Sequence, residues 1–162
     1  MNFNKGFTLI ELLVVVAIIG VLSTIVITNL SSTREGANDA AIKANLSSIR
    51  TQAEVYFNNS LNYGDEFLSA NCGTAVAGSM FVDDSTVASA ITSAKSANSD
   101  NELTCAAIDS SDDGNADSWA VLSPLRSDGT VKWCVDSTGF AGEATGITVT
   151  AVAPIKTFCA TS

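Results

Sequence analysis

Three groups of residues in this chain could do chemistry. The first is a single carboxylate, Glu11, inside an apolar run that follows Lys5 and Gly6. An ionised carboxylate in hydrocarbon is expensive and as a rule functional. The second is four cysteines, Cys72, Cys105, Cys134 and Cys159. An even number at wide spacing, with no C-x-x-C pair, reads as disulfides rather than as a zinc or redox site. The third is the loop "DSSDDGNADS", residues 109–118. Its Asp109, Asp113, Asn115 and Asp117 offer the oxygen ligands that a hard cation such as Ca2+ takes.

Each group has a competing reading. Glu11 read alone is a solitary carboxylate near a membrane boundary, reaching back to the interface. The acidic loop departs from the EF-hand pattern, which wants acidic or amide residues at alternate positions before the Gly and a Glu further on. A solvated loop of turn-forming residues is the preferred reading, and calcium the alternative. The cysteines allow three connectivities. Sequential pairing, Cys72–Cys105 and Cys134–Cys159, closes short loops and is preferred. The alternative is two pairs of buried free thiols. Disulfides persist in oxidising compartments, which places the body of the protein outside the cytoplasm.

Other classes are disfavoured. The chain has no histidine, and so lacks the commonest general base and metal ligand. It has no phosphate loop and no G-x-S-x-G motif, so an enzymatic role is not expected and no cofactor is implied. A formal net charge of −9 is a poor basis for binding nucleic acid, where phosphate contacts need Lys and Arg. No direct nucleic-acid site is evident.

The elements that position these groups follow from the apolar pattern. Residues 7–30 hold one charge, Glu11, and no proline. As a helix these 24 residues extend about 36 Å, enough to cross a bilayer core of roughly 30 Å. The run is too long for an ordinary secretory signal, and no A-x-A-like site follows it directly. Lys5 before it and the cysteines after it place the N-terminus inside. The helical pattern continues through Ile42, Leu46, Ile49, Ala53 and Phe57 as an amphipathic stripe. Arg34, Lys43, Arg50 and Glu54 fall on the other side, and the helix is expected to end within 58–64. Gly20 and Gly36 are soft points, each costing about 1 kcal/mol relative to Ala.

Further on, Asp84 or Ser85 caps a short helix through Val87, Ala90, Ile91 and Ala94. Strands are expected at 118–125, 130–136 and 146–153, with Asp128-Gly129 turning the first into the second. A three- or four-stranded antiparallel sheet would bury one face against the helix stripe. Trp119, Trp133, Phe140 and Phe158 are candidate core.

The stretch "KGFTLIELLVVVAIIGVL", Lys5–Leu22, resembles the N-terminal signature of type IV pilins and the related pseudopilins. That signature is a short basic leader, a Gly, a Phe, then an apolar stretch with a Glu as the fifth residue after the Gly. Lys5, Gly6, Phe7 and Glu11 supply every element, and the match extends to about Ile27. The resemblance implies a pilin-like α+β fold: a long N-terminal helix, apolar then amphipathic, packed on a small antiparallel sheet. It divides the chain into a cleaved leader (1–6), a transmembrane and filament-core helix (7–30), its amphipathic continuation (31–59) and a disulfide-stabilised head (60–162).

The resemblance also implies a processing route. A prepilin peptidase would cut between Gly6 and Phe7, and the new amine of Phe7 would be methylated. Glu11 of one subunit would then pair with the Phe7 amine of its neighbour. Two charges buried together are tolerated where one alone is not, so the pair would set register. The partners implied are further copies of the chain, the peptidase, the inner-membrane assembly platform of a pilus, and the membrane before assembly. The product would be an extracellular filament for adhesion, motility or DNA uptake, with the chain as its major subunit. The rivals are a periplasmic pseudopilin of a type II secretion system, a minor tip pilin, and a membrane-anchored binding domain that never polymerises. Many pilins carry a proline within the apolar run. This chain has none before Pro124, which puts local unwinding on assembly in doubt.

Overall fold

The computed structural model describes residues 6–69, 71–75, 77–149 and 157–161. The fold is α+β, and the chain divides into two compact units, Met1–Glu35 and Gly36–Ser162. Helix α1 spans Leu9–Ser60, and neither Gly20 nor Gly36 ends it.

In the first unit the large apolar side chains of α1 stand in the open, from Leu9 at 81% exposure to Leu22 at 57%. Two hydroxyls in this apolar stretch are satisfied locally. Ser23 donates to the Ile19 carbonyl at 2.7 Å and Thr24 to that of Gly20 at 3.1 Å. That leaves no bare hydroxyl on the segment's apolar surface at those two positions.

The second unit closes its own core. Ile42, Leu46, Ile49 and Ala53 of α1 are fully buried, the i, i+4, i+3, i+4 spacing of one helix face. Helix α2 (Met80–Asp83) and helix α3 (Ser85–Ala97) pack beside it. The Asp84 carboxylate caps α3 by accepting the N–H groups of Thr86 and Val87 at 2.8 and 3.0 Å. Val87, Ala90, Ile91 and Ala94 face the core as the spacing predicts. Helix α2 has four residues, too few to show a period, and was not expected.

The sheet is larger than expected. Strands β1 (Phe67–Ser69), β2 (Thr104–Ile108), β3 (Ser118–Pro124), β4 (Lys132–Asp136) and β5 (Ala141–Glu143) form one antiparallel sheet in chain order. Strands β6 (Gly146–Val149) and β7 (Thr157–Ala160) form a second, two-stranded sheet. The expected continuation of β6 to residue 153 lies outside the described residues. Both faces of β3 are covered. Trp119 and Val121 join the core with α1 and α3, whereas Leu122 packs with Cys134 and Cys159 on the side of β6 and β7. This explains why "SWAVLSP" reads as a nearly continuous apolar run rather than an alternating one. Trp119 is fully buried, while Trp133 and Phe140 lie half-buried; the side chain of Phe158 falls outside the described residues.

Two cations of α1 do not face away as expected. The Lys43 ammonium sits 4.5 Å from the centre of the Trp133 ring, and Arg50 donates to the Gly139 carbonyl at 3.1 Å. Each follows a core isoleucine by one residue, a turn of about 100°, so it borders the buried stripe rather than opposing it. Their stems then lie along the head while the charge reaches the edge. Asp39, buried on the same helix, accepts the N–H groups of Arg126 at 2.5 Å and Ser127 at 3.3 Å, together with the Ser127 hydroxyl. It thereby ties the β3–β4 turn to α1.

Candidate functional site

Gly6, Phe7 and Thr8 precede α1 in non-helical backbone. A Cβ placed on Gly6 would meet nothing within 4 Å, and Phe7 is 84% exposed. Among the described residues nothing crowds the Gly6–Phe7 peptide bond, and Gly6 presents no side chain beside it.

Thr8 is the residue just before the first helical turn. Its N–H donates to Glu11 Oε2 at 2.8 Å and its hydroxyl donates to the same oxygen at 2.6 Å. In return the Glu11 N–H donates to the Thr8 hydroxyl oxygen at 3.3 Å. This is a reciprocal capping box, in which side chains satisfy amides that the first helical turn leaves unpaired. It also holds a carboxylate where the helix dipole is positive. Glu11 thus has a partner within its own chain. Thr8 was missed in the sequence, although T-x-x-E ahead of an apolar run is the signal for such a box.

Beyond Glu11, Leu13, Val14, Ala17, Ile18, Val21 and Leu22 line a shallow apolar groove on the open helix surface. Among the described residues no helix is long and apolar enough to cross a membrane. The side chains of residues 25–29, inside the expected span, lie outside the described ones.

The cysteines are joined as Cys72–Cys105 and Cys134–Cys159. The first ties a single 3-10 turn at Cys72–Thr74 to β2. The second ties β4 of the large sheet to β7 of the small one. Asp136 reinforces that junction, because its buried carboxylate accepts the Cys159 N–H at 2.9 Å and the Thr138 N–H at 2.9 Å.

The acidic loop spends its carboxylates on its own backbone. Asp109 accepts the N–H groups of Ser111, Asp112 and Gly114 at 2.9, 2.9 and 2.6 Å. Burial pushes the Asp109 carboxyl upward, but these donors outweigh it and hold the group below the usual carboxylate range. Asp113 accepts from Asn115, and Asp117 from Ser110. Among the described residues no three or more Asp, Glu or Cys converge as a metal site. The candidate calcium ligands Asp109, Asp113, Asn115 and Asp117 lie in one loop, whose carboxylates accept hydrogen bonds from the loop itself.

The first 27 residues match the family model for the prokaryotic N-terminal methylation motif. The N-terminal segment carries that motif and is similar to the corresponding segments of type IV pilins. The chain is 40% identical over 62 residues to the type IV major pilin protein PilA of Myxococcus xanthus, covering 38% of this chain and 28% of that protein. It is 46% identical over 56 residues to the type IV wide pilus major component PilA4 of Thermus thermophilus, covering 35% and 43%. It is 42% identical over 52 residues to the competence protein ComGC of Streptococcus pneumoniae, covering 32% and 48%. The matches thus span less than half the length of each of these relatives. No solved structure matches the chain.

Proposed function

We propose that this chain is the major structural subunit of a type IV pilus, polymerising through the N-terminal part of α1. The observation that carries this reading is the continuous apolar surface from Phe7 to Leu22, interrupted by Glu11, which nothing in the described chain covers. Burying each such Leu, Ile or Val yields about 1.5–3 kcal/mol, so the segment needs a bilayer or other copies of itself. The precursor would rest in the inner membrane over residues 7–30. Cleavage after Gly6 by a prepilin peptidase would free the Phe7 amine for methylation. In the filament, that amine would meet Glu11 of the neighbouring copy, and a subunit out of register would leave Glu11 unpaired. The similarity to ComGC favours a second reading within the same class, a filament serving competence. Neither reading requires a cofactor.

Electron microscopy of filaments sheared from cells tests the proposal. Wild-type cells should yield filaments containing this chain. Glu11→Leu should reduce them at least tenfold, because the desolvated Phe7 amine loses its counter-charge. Undiminished filaments of Glu11→Leu subunits would refute the register role. A chain that is processed but never leaves the membrane would point to a secretion pseudopilin or a minor subunit.

A further inference from the structure

Asp136 is a buried carboxylate to which polymerisation gives no task. Such a group is costly inside a protein unless donors satisfy it. Its two oxygens do different things. Oδ1 serves the β4–β5 turn, accepting the N–H and hydroxyl of Thr138 at 2.9 and 2.6 Å and the N–H of Phe140 at 3.2 Å. Oδ2 accepts the N–H of Cys159 at 2.9 Å, 23 residues away on β7. One oxygen therefore organises a local turn, and the other reaches across to the second sheet.

Cys134 and Asp136 lie two apart on β4 and share a face, since Val135 between them turns to the main core. Cys134 holds the sulfur of Cys159, and Asp136 holds its backbone. The apolar contacts on that face are those of Leu122 with Phe140, Ala144 and Ile147. Apolar burial is non-directional, so it presses the small sheet onto the large one without fixing where Cys159 stands. A hydrogen bond to a charged acceptor has a direction as well as a strength.

We infer that Asp136 is the positioning residue of the Cys134–Cys159 disulfide: in the reduced chain it docks β7 on β4 and so brings the two thiols within reach of each other. The chemistry is thiol–disulfide exchange with a disulfide oxidant, RSSR. One cysteine thiolate attacks RSSR, forms a mixed disulfide and releases RS−. The other cysteine thiolate attacks the protein sulfur of that mixed disulfide, closes the Cys134–Cys159 bond and expels the second RS−. Two electrons pass to RSSR, and the protons shed by the two cysteines end on the two RSH. Both sulfurs are buried when β7 is docked, so the first exchange takes place with β6 and β7 undocked. Asp136 acts on the second exchange, whose rate and equilibrium depend on how closely the two sulfurs are held. A flexible tether alone supplies an effective concentration of about a millimolar, and docking raises it.

Redox titration of the detergent-extracted full chain in reduced and oxidised glutathione tests this, with each cysteine pair read by alkylation and peptide mass. Asp136→Asn keeps one acceptor oxygen for the turn and sets its NH2 against the Cys159 N–H. A hydrogen bond to a charged group is worth about tenfold or more in an equilibrium. The variant should therefore lower the effective concentration of Cys134–Cys159 about tenfold and leave that of Cys72–Cys105 within about twofold. Thr138→Val removes a donor from the turn, which forms whether or not β7 is docked, and should leave both pairs within about twofold of wild type. An unchanged Cys134–Cys159 value in Asp136→Asn would overturn the inference. An equal fall at both pairs would also overturn it, by making Asp136 a support of the whole head. A fall in Thr138→Val as large as that in Asp136→Asn would do the same, by placing the effect in the turn.

Discussion

Ile18 and Ile42 lie on the same helix and meet opposite environments: Ile18 is 53% exposed and Ile42 is fully buried. The difference separates two ways of satisfying an apolar surface. Unit 36–162 turns its stripe inward, onto α3 and the face of β3 that carries Trp119 and Val121. Among its described residues, unit 1–35 exposes every large apolar side chain from Leu9 to Leu22. A protein needs only one of these to fold. Carrying both is what the proposed polymerising subunit requires: a head that packs by itself and a helix that other copies would cover.

The largest effect should come from the head. Replacing Cys134 and Cys159 by Ser removes the tie between the two sheets, across a sequence separation of 25. The expected loss is about 3.5 kcal/mol from chain entropy, read as a lower thermal midpoint in the detergent-extracted chain. An unchanged midpoint would mean that Asp136 and the small core hold the second sheet unaided.

Next comes the pair that probes the comparison itself. Ile49→Ala should cost about 3 kcal/mol of head stability, the ordinary penalty for emptying a packed site. Ile18→Ala should leave the melting transition within about 0.5 kcal/mol yet reduce filament yield. Equal effects of the two on melting would break the distinction between the units.

Smaller still, Thr8→Val should remove the capping box at a cost of about 1 kcal/mol, confined to the first turn of α1. Faster amide exchange at Leu9–Leu12 with an unchanged head melt would show it. The smallest effect is a dependence on acid. Asp109, and Asp128 with its bonds to Thr130, are both held below the ordinary carboxyl value of 3.8. Groups depressed in the folded state contribute stability above the unfolded value and lose it as the pH falls through the folded one. The 109–117 loop and the β3–β4 turn should therefore hold at neutral pH and loosen only below about pH 3.8. Loosening near pH 6 would contradict these assignments.

What the sequence revealed and what it hid divide along physical lines. Glu11, Gly6 and Phe7 were legible because a charge at fixed spacing in an apolar run stands out against a uniform background. The stripe Ile42–Leu46–Ile49–Ala53 was legible because a long helix repeats its period many times. Strands β1 and β5 are only three residues each, and β2 is rich in alanine, so neither alternation nor β-branched residues announced them. The placement of Lys43 and Arg50 depended on where the head borders the helix, which periodicity along α1 does not report. For the acidic loop, composition shows the carboxylates but not the loop amides that donate to them.

The most direct test of the central claim, that processing frees a helix built to polymerise, is the intact mass of this chain recovered from sheared filaments. The account predicts a subunit that begins at a methylated Phe7 and weighs about 4 Da less than its fully reduced form, for two disulfides. A chain still carrying Met1–Gly6, found in the membrane and absent from filaments, would contradict it.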